Sequence, residues 1–222
     1  MLFVINKVLS LFFRLLYHPF AWTYDLVSGL VSFGRWPTWV SSSIPFLQGP
    51  NILELGHGPG HLQASLIGLG YAPVGLDESK QMSRLAQRRL KKTAGTWSAA
   101  DPHSIRLVNG RAEHLPFTRD YFQTVVATFP TQYIFDPVTL TEVQRVLSPD
   151  GRLVVLLAAW IVGGSLIDRG LALLFRVTGE SPDVNMEFIR FLQPFQAAGF
   201  HAELKWIETN SSKLLFICAN KS

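Results

Sequence analysis

The chain has 222 residues, 48% hydrophobic and 16% charged, which suits one domain with a substantial core and excludes a disordered chain. Twenty Lys and Arg against 16 Asp and Glu give a net charge of +4. The densest basic cluster, Arg84, Arg88, Arg89, Lys91 and Lys92, ends a predicted helix, where cations complement the helix dipole, so no nucleic-acid partner is expected. The single cysteine, Cys218, excludes an internal disulfide and points to a cytoplasmic setting.

Residues 1–45 form an N-terminal apolar segment. On a helical wheel Asn6, Lys7, Ser10, Arg14 and His18 fall on one stripe roughly 120° wide, with apolar side chains over most of the rest. Lys7 and Arg14 interrupt the run, which argues against a secretory leader and against a membrane span of about 18 or more apolar residues. Two roles stay open. The helix packs on the domain as an active-site cover, or it lies in a membrane interface, peripheral at the inner face.

Residues 46–222 form the second unit. Asn51–Leu55 reads as a short buried strand and about Pro59 to Leu69 as a helix. Pro73–Leu76 is the next strand, ending at Asp77, and Ser79 caps a helix carrying Met82, Leu85, Ala86 and Leu90. Ile105–Val108 and Thr124–Ala127 are further strands. Asp136-Pro137 opens a helix, Ser148–Gly151 is a turn and Leu153–Leu157 is the fifth strand. Residues 158–183, with four glycines, read as an insertion covering a substrate or as a loosely packed extra helix. Ala202–Glu208 and Lys213–Ala219 have no helix between them and should pair antiparallel. The expectation is an α/β fold: a doubly wound, seven-stranded, mostly parallel sheet closed by a C-terminal antiparallel hairpin.

The chemistry concentrates after the first strand, in Glu54-Leu55-Gly56-His57-Gly58-Pro59-Gly60. Glycines here let the backbone bend tightly and approach a ligand without a Cβ in the way. Asp77 ends the next strand 21 positions after Gly56, a spacing that suits a carboxylate on the hydroxyls of a ribose. A dinucleotide turn would have glycine where His61 stands, and Glu54 before the turn fits a cation, such as the amino group of a methionyl tail. No His, Cys and carboxylate group has metal-ligand spacing, so no metal is expected. His18, His57, His61, His114 and Tyr133 are the candidate bases, needed only if an acceptor must lose a proton.

With these residues in view, the chain resembles the class I S-adenosylmethionine-dependent methyltransferases, nearest to the ubiquinone and menaquinone C-methyltransferase group. Four stretches carry the likeness: Ile52–Gly60, Val74–Ser79, Gly110–Phe117 and Arg145–Leu153. The resemblance implies a Rossmann-like methyltransferase fold with S-adenosylmethionine as methyl donor. The apolar N-terminus and the 158–183 cover point to a small lipophilic acceptor, with a nucleic-acid or protein methyltransferase, or a non-catalytic S-adenosylmethionine-binding protein, as the alternatives. The resemblance also implies that Glu54, Gly56, His57, Gly58 and Gly60 hold the methionine part and that Asp77 holds the ribose. Glu78 and Ser79 would line the adenosine, Arg111, Ala112 and Glu113 would lie at the adenine edge, and Phe129 and Pro130 would face the sulfonium and the acceptor. Tyr24, before Asp25, resembles an element closing over the cofactor. Arg111 departs from the family, which often has an acidic residue there, because a guanidinium has no acceptor. Gln123-Thr124 stands where the family usually has an aspartate.

Overall fold

A computed structural model describes residues 34–94, 106–162, 190–209 and 211–221. The N-terminal helix, Tyr24, His18 and most of the 158–183 insertion lie outside the described residues. The chain enters through α1 (Trp36–Ser41). It then alternates β1 (Ile52–Leu55), α2 (His61–Gly68), β2 (Val74–Asp77), α3 (Lys80–Ala94), β3 (Arg106–Asn109), β4 (Phe122–Thr128), α4 (Pro137–Val146) and β5 (Leu147–Ile161). It closes with α5 (Gln193–Ala197), β6 (Phe200–Glu208) and β7 (Ser212–Lys221).

The strands form one sheet of seven in the order β3-β2-β1-β4-β5-β7-β6. The first five run parallel, and β7 inserts antiparallel between β5 and β6. The expected mostly parallel sheet with a terminal antiparallel hairpin is therefore present. β1 sits in the middle of the parallel part, and the order reverses on either side of it, where open α/β sheets bind ligands at the strand C-termini.

Alternation along the strands builds the two faces. Leu53, Leu55, Val125, Ala127, Leu153 and Val155 point to one face and pack with Leu140, Val143 and Val146 of α4 and Phe195 of α5. Ile52, Val126, Val154, Leu156 and Phe216 point to the other, against Leu62 and Leu66 of α2 and Trp39 of α1. Burying each of the Val, Leu, Ile and Phe side chains contributes roughly 1.5–3 kcal/mol. Glu54 shares the face of Ile52 and is carried into this second layer.

The caps are as the sequence implies. The Val138 amide donates to Asp136 Oδ1 at 2.8 Å, opening α4, and the Met82 amide donates to Ser79 Oγ at 3.3 Å, opening α3. Two boundaries differ. Ser148–Gly151 is a bulge inside β5: pairing with β4 passes from Phe122↔Leu147 to Thr124↔Arg152, with Asp150 at φ 62°. Ala158–Ile161 continue β5 beside Leu215–Ser212 of β7, so the strand extends into the region read as insertion. No helix among the described residues is long and apolar enough to cross a membrane.

Candidate functional site

The turn after β1 is folded back onto β2. The Gly56 and His57 amides both donate to the Leu76 carbonyl, at 2.7 and 3.3 Å. Gly56, Gly58 and Gly60 have φ of 65°, 50° and 80°, left-handed values that a side chain would strain. Each glycine answers a separate demand. A Cβ at Gly60 would come within 2.9 Å of Ala86 Cβ, so α2 and α3 could not approach. A Cβ at Gly56 would meet the Tyr133 hydroxyl at 2.9 Å, and one at Gly58 would meet nothing nearer than the Gly56 carbonyl at 4.0 Å. Gly58 thus leaves backbone open above the turn.

Asp77 ties the turn to the next loop. Its Oδ2 accepts from the Gly58 amide and its Oδ1 from the Ser79 amide, both at 2.8 Å. A carboxylate has about four acceptor positions, so each oxygen keeps capacity for one further donor. Asn109 braces the same loop through its amide, which donates to the Asp77 and Glu78 carbonyls at 2.8 and 3.0 Å.

Beneath the turn lies a buried polar layer. Glu54 is 1% exposed, and its Oε2 accepts from Gln63 Nε2 at 2.8 Å. Burial pushes the Glu54 carboxyl up to about 8, assisted by Asp77 and opposed by the Gln63 hydrogen bond. His57 Nδ1 lies 2.7 Å from the Gly58 carbonyl, so that nitrogen carries the proton and Nε2 is an acceptor. Burial lowers the His57 pKa against the pull of Asp77. His57 Nε2 and Gln63 Oε1 are both buried without a partner.

The other expected residues divide into two groups. Arg111 is exposed and pairs with Glu113 at 3.0 Å and Glu78 at 3.9 Å, presenting no acceptor. Ala112 is buried beside this pair, and Ser79 is spent on the cap of α3. Glu142 and Arg145 of α4 fix the stretch that follows: Leu115 N donates to Glu142, and Arg145 donates to the Leu115 and Phe117 carbonyls, all at 2.8 Å. Glu113 and His114 line a shallow recess of about 560 Å³ shared with Val138 and Thr141 of α4.

Phe129, at the exit of β4, has φ 50°, an outlier for an aromatic residue and a mark of stored strain. Its ring stacks on Trp36 at 4.5 Å and leans on Trp39 at 6.2 Å. Trp39 is itself held by its indole N–H donating to Ser212 Oγ at 2.8 Å. Tyr133 lies above Gly56, with its hydroxyl donating to the Leu55 carbonyl at 3.3 Å.

Sequence reasoning missed Gln63, Trp36 as the partner of Phe129, and the clamp from α4. Gln63 had a legible signal. It stands three and four residues before Leu66 and Ile67, a polar side chain within the apolar stripe of its helix. No group of three or more candidate metal ligands occurs among the described residues.

Strand order, turn and acidic partner define the Rossmann-like fold of the class I methyltransferases. Residues 53–155 match the methyltransferase domain family. A ubiquinone/menaquinone biosynthesis C-methyltransferase of Blochmanniella floridana is 29% identical over 147 residues, 63% of this chain and 56% of that protein. The chain spans about half the length of the curated relatives it matches. Among solved structures, a SAM-dependent methyltransferase of Thermotoga maritima superposes with a TM-score of 0.61 at 16% identity, covering 94% of this chain and 99% of that one. Phosphoethanolamine N-methyltransferase 2 of Haemonchus contortus, in complex with S-adenosyl-L-methionine, gives a TM-score of 0.59 at 16% identity over 91% of this chain and 57% of that one.

Proposed function

We propose that the protein transfers a methyl group from S-adenosylmethionine to a small lipophilic acceptor, with a quinone-like ring as the leading class. The observation that carries the reading is the glycine turn closed onto Asp77, with open backbone at Gly58. The residues present fit the donor. Asp77 retains acceptor capacity on both oxygens for ribose hydroxyls, and the Gly58 backbone admits close approach. Bound there, S-adenosylmethionine supplies an activated methyl group on a sulfonium. The chain's task is then alignment and exclusion of water.

Phe129 and Trp36 support the lipophilic acceptor. Their stacked rings stand at the exit of β4, beside the turn in the sheet, because β4 is the strand paired to β1. An aromatic wall suits a flat apolar ring better than a charged metabolite. The similarity to quinone C-methyltransferases favours the same class. In this reading the N-terminal segment, with Tyr24, closes over the donor or rests on a membrane surface that delivers the acceptor.

The direct test supplies labelled S-adenosylmethionine and a panel of demethylated quinols in detergent, with soluble catechols and nucleic acid alongside. Label in the quinol fraction is expected. Label confined to the water-soluble acceptors would overturn the acceptor class, and absence of label in every fraction would overturn the activity. Flotation on anionic liposomes with and without residues 1–20 tests the surface contact, and equal weak flotation of the two forms would remove it.

A further inference from the structure

We propose that Gln63 and Glu54 form an acid–amide pair that stores one proton beneath the turn, and that a cationic ligand arriving on the turn releases it. Gln63 is the positioning residue of the pair. The inference rests on the donor proposed above, whose sulfonium is a permanent cation.

Hydrogen-bond accounting carries the argument. Gln63 Nε2 donates to Glu54 Oε2 at 2.8 Å, while Gln63 Oε1, on the same amide, is buried without a donor. His57 Nε2 is a second buried acceptor without a donor. Both side chains press on one spot: a Cβ built on Gly75 would come within 3.0 Å of His57 Cδ2 and 3.2 Å of Gln63 Cδ. The layer is therefore short of a donor. An ionised Glu54 can only accept, whereas a protonated Glu54 supplies the missing O–H. Buried acceptors left unpaired are costly, so the deficit favours the form of Glu54 that carries a proton.

The surroundings give the same sign. Among the described residues Glu54 makes no ion pair. From α2 it faces neutral Gln63, and from the turn it faces His57, which burial keeps neutral. From β2 it faces the anionic Asp77, and its register partners are Gly75 and Val126. Arg89 of α3 donates to the Pro59 carbonyl in the turn. A second negative charge beside Asp77 is thus opposed by burial and by repulsion, consistent with a carboxyl pushed up to about 8. A cation over the turn cancels the repulsion from Asp77 and attracts the ionised carboxylate against the cost of burial. Glu54 then ionises, and one proton passes to solvent for each ligand bound.

Titration calorimetry of the full chain with S-adenosylmethionine, in buffers of different ionisation enthalpy, reads the proton directly. At about pH 6.5–7.5 close to one proton should leave per ligand bound, with affinity rising up to roughly tenfold per pH unit. S-adenosylhomocysteine, which lacks the sulfonium charge, should release much less. Glu54→Gln should abolish the release and flatten the pH dependence, and Gln63→Leu should move the pH midpoint with an unchanged circular dichroism spectrum. Binding without proton release, or equal release by wild type and Glu54→Gln, would overturn the inference and leave the proposed donor intact. Failure of every form to bind would overturn both. Independently of ligand, infrared difference spectra should show a protonated carboxyl band at about pH 6.5 that is lost by about pH 9.5 and is absent in Glu54→Gln. A wild-type spectrum without that band overturns the stored proton.

Discussion

β1 and β4 are neighbours in the sheet, yet the chain leaves them in opposite ways. After β1 it makes a glycine turn, laced by amide bonds to Leu76 and Asp77 and floored by Glu54, His57 and Gln63. After β4 it makes a strained aromatic corner at Phe129, stacked on Trp36 and bonded through its amide to the Leu156 carbonyl. The first exit offers backbone and charge, the second offers ring faces. Two adjacent exits with such different chemistry are the basis for proposing two ligands of different character, a polar cationic donor and an apolar acceptor. They also suggest that substitutions at one exit should leave the ligand of the other undisturbed.

The contrast can be broken at the turn first. Gly60→Leu forces a side chain into Ala86 at a left-handed φ, so the α2–α3 contact should fail, with donor binding lost and the melting temperature clearly lowered. Scanning calorimetry showing a native melt would remove the packing argument. Next, Asp77→Ala deletes a charged acceptor worth roughly 1.5–3 kcal/mol, and donor affinity should fall roughly ten- to a hundredfold. Unchanged affinity by calorimetry would retire the ribose assignment. At the other exit the effect should be smaller and selective. Trp36→Ala loses a stack worth roughly 0.5–1.5 kcal/mol, raising the acceptor KM about two- to tenfold while the donor Kd stays constant. A shift in donor Kd of the same size would show that the two exits are not separate.

The mildest test concerns stability. The folded Glu54 carboxyl titrates near about 8, above its ordinary value of 4.5. Its protonated state favours the fold fully below about pH 4.5, and this stability is lost as pH rises towards about 8. Glu54→Gln cannot ionise, so it should match wild type at about pH 4.5 and melt a few degrees higher at about pH 8. A melting difference that stays constant across that range would mean that Glu54 is ionised in the folded protein.

Much of this was legible in the sequence because local rules and tertiary demands agree there. Asp136-Pro137 caps and opens α4 as its residue types require, and the glycines at 56, 58 and 60 take the left-handed values that make them glycines. The C-terminal pairing followed from chain length alone, since no helix fits between β6 and β7. Ser148–Gly151 misled because turn residues inside a long strand form a bulge when both flanks find partners in the same neighbour. Gln63 and Trp36 were illegible in role for a different reason. Their significance comes from residues distant in sequence, Gly75 and Phe129, and no spacing rule links positions that only the sheet brings together.

The place of β7 has a consequence for synthesis. Ser212–Lys221 follows every other described strand along the chain, yet it lies inside the sheet between β5 and β6. While the ribosome is still working, at about 5–20 residues per second, the outer edge of β5 has no neighbour, and β6 has none at all among the described strands. Two open hydrogen-bonding edges, with Leu214 to Ala219 still to be buried between them, are templates for the wrong partner. The nascent protein should therefore depend on a holdase far more than the finished sheet suggests, and its yield should be set by how quickly β7 slides between β5 and β6.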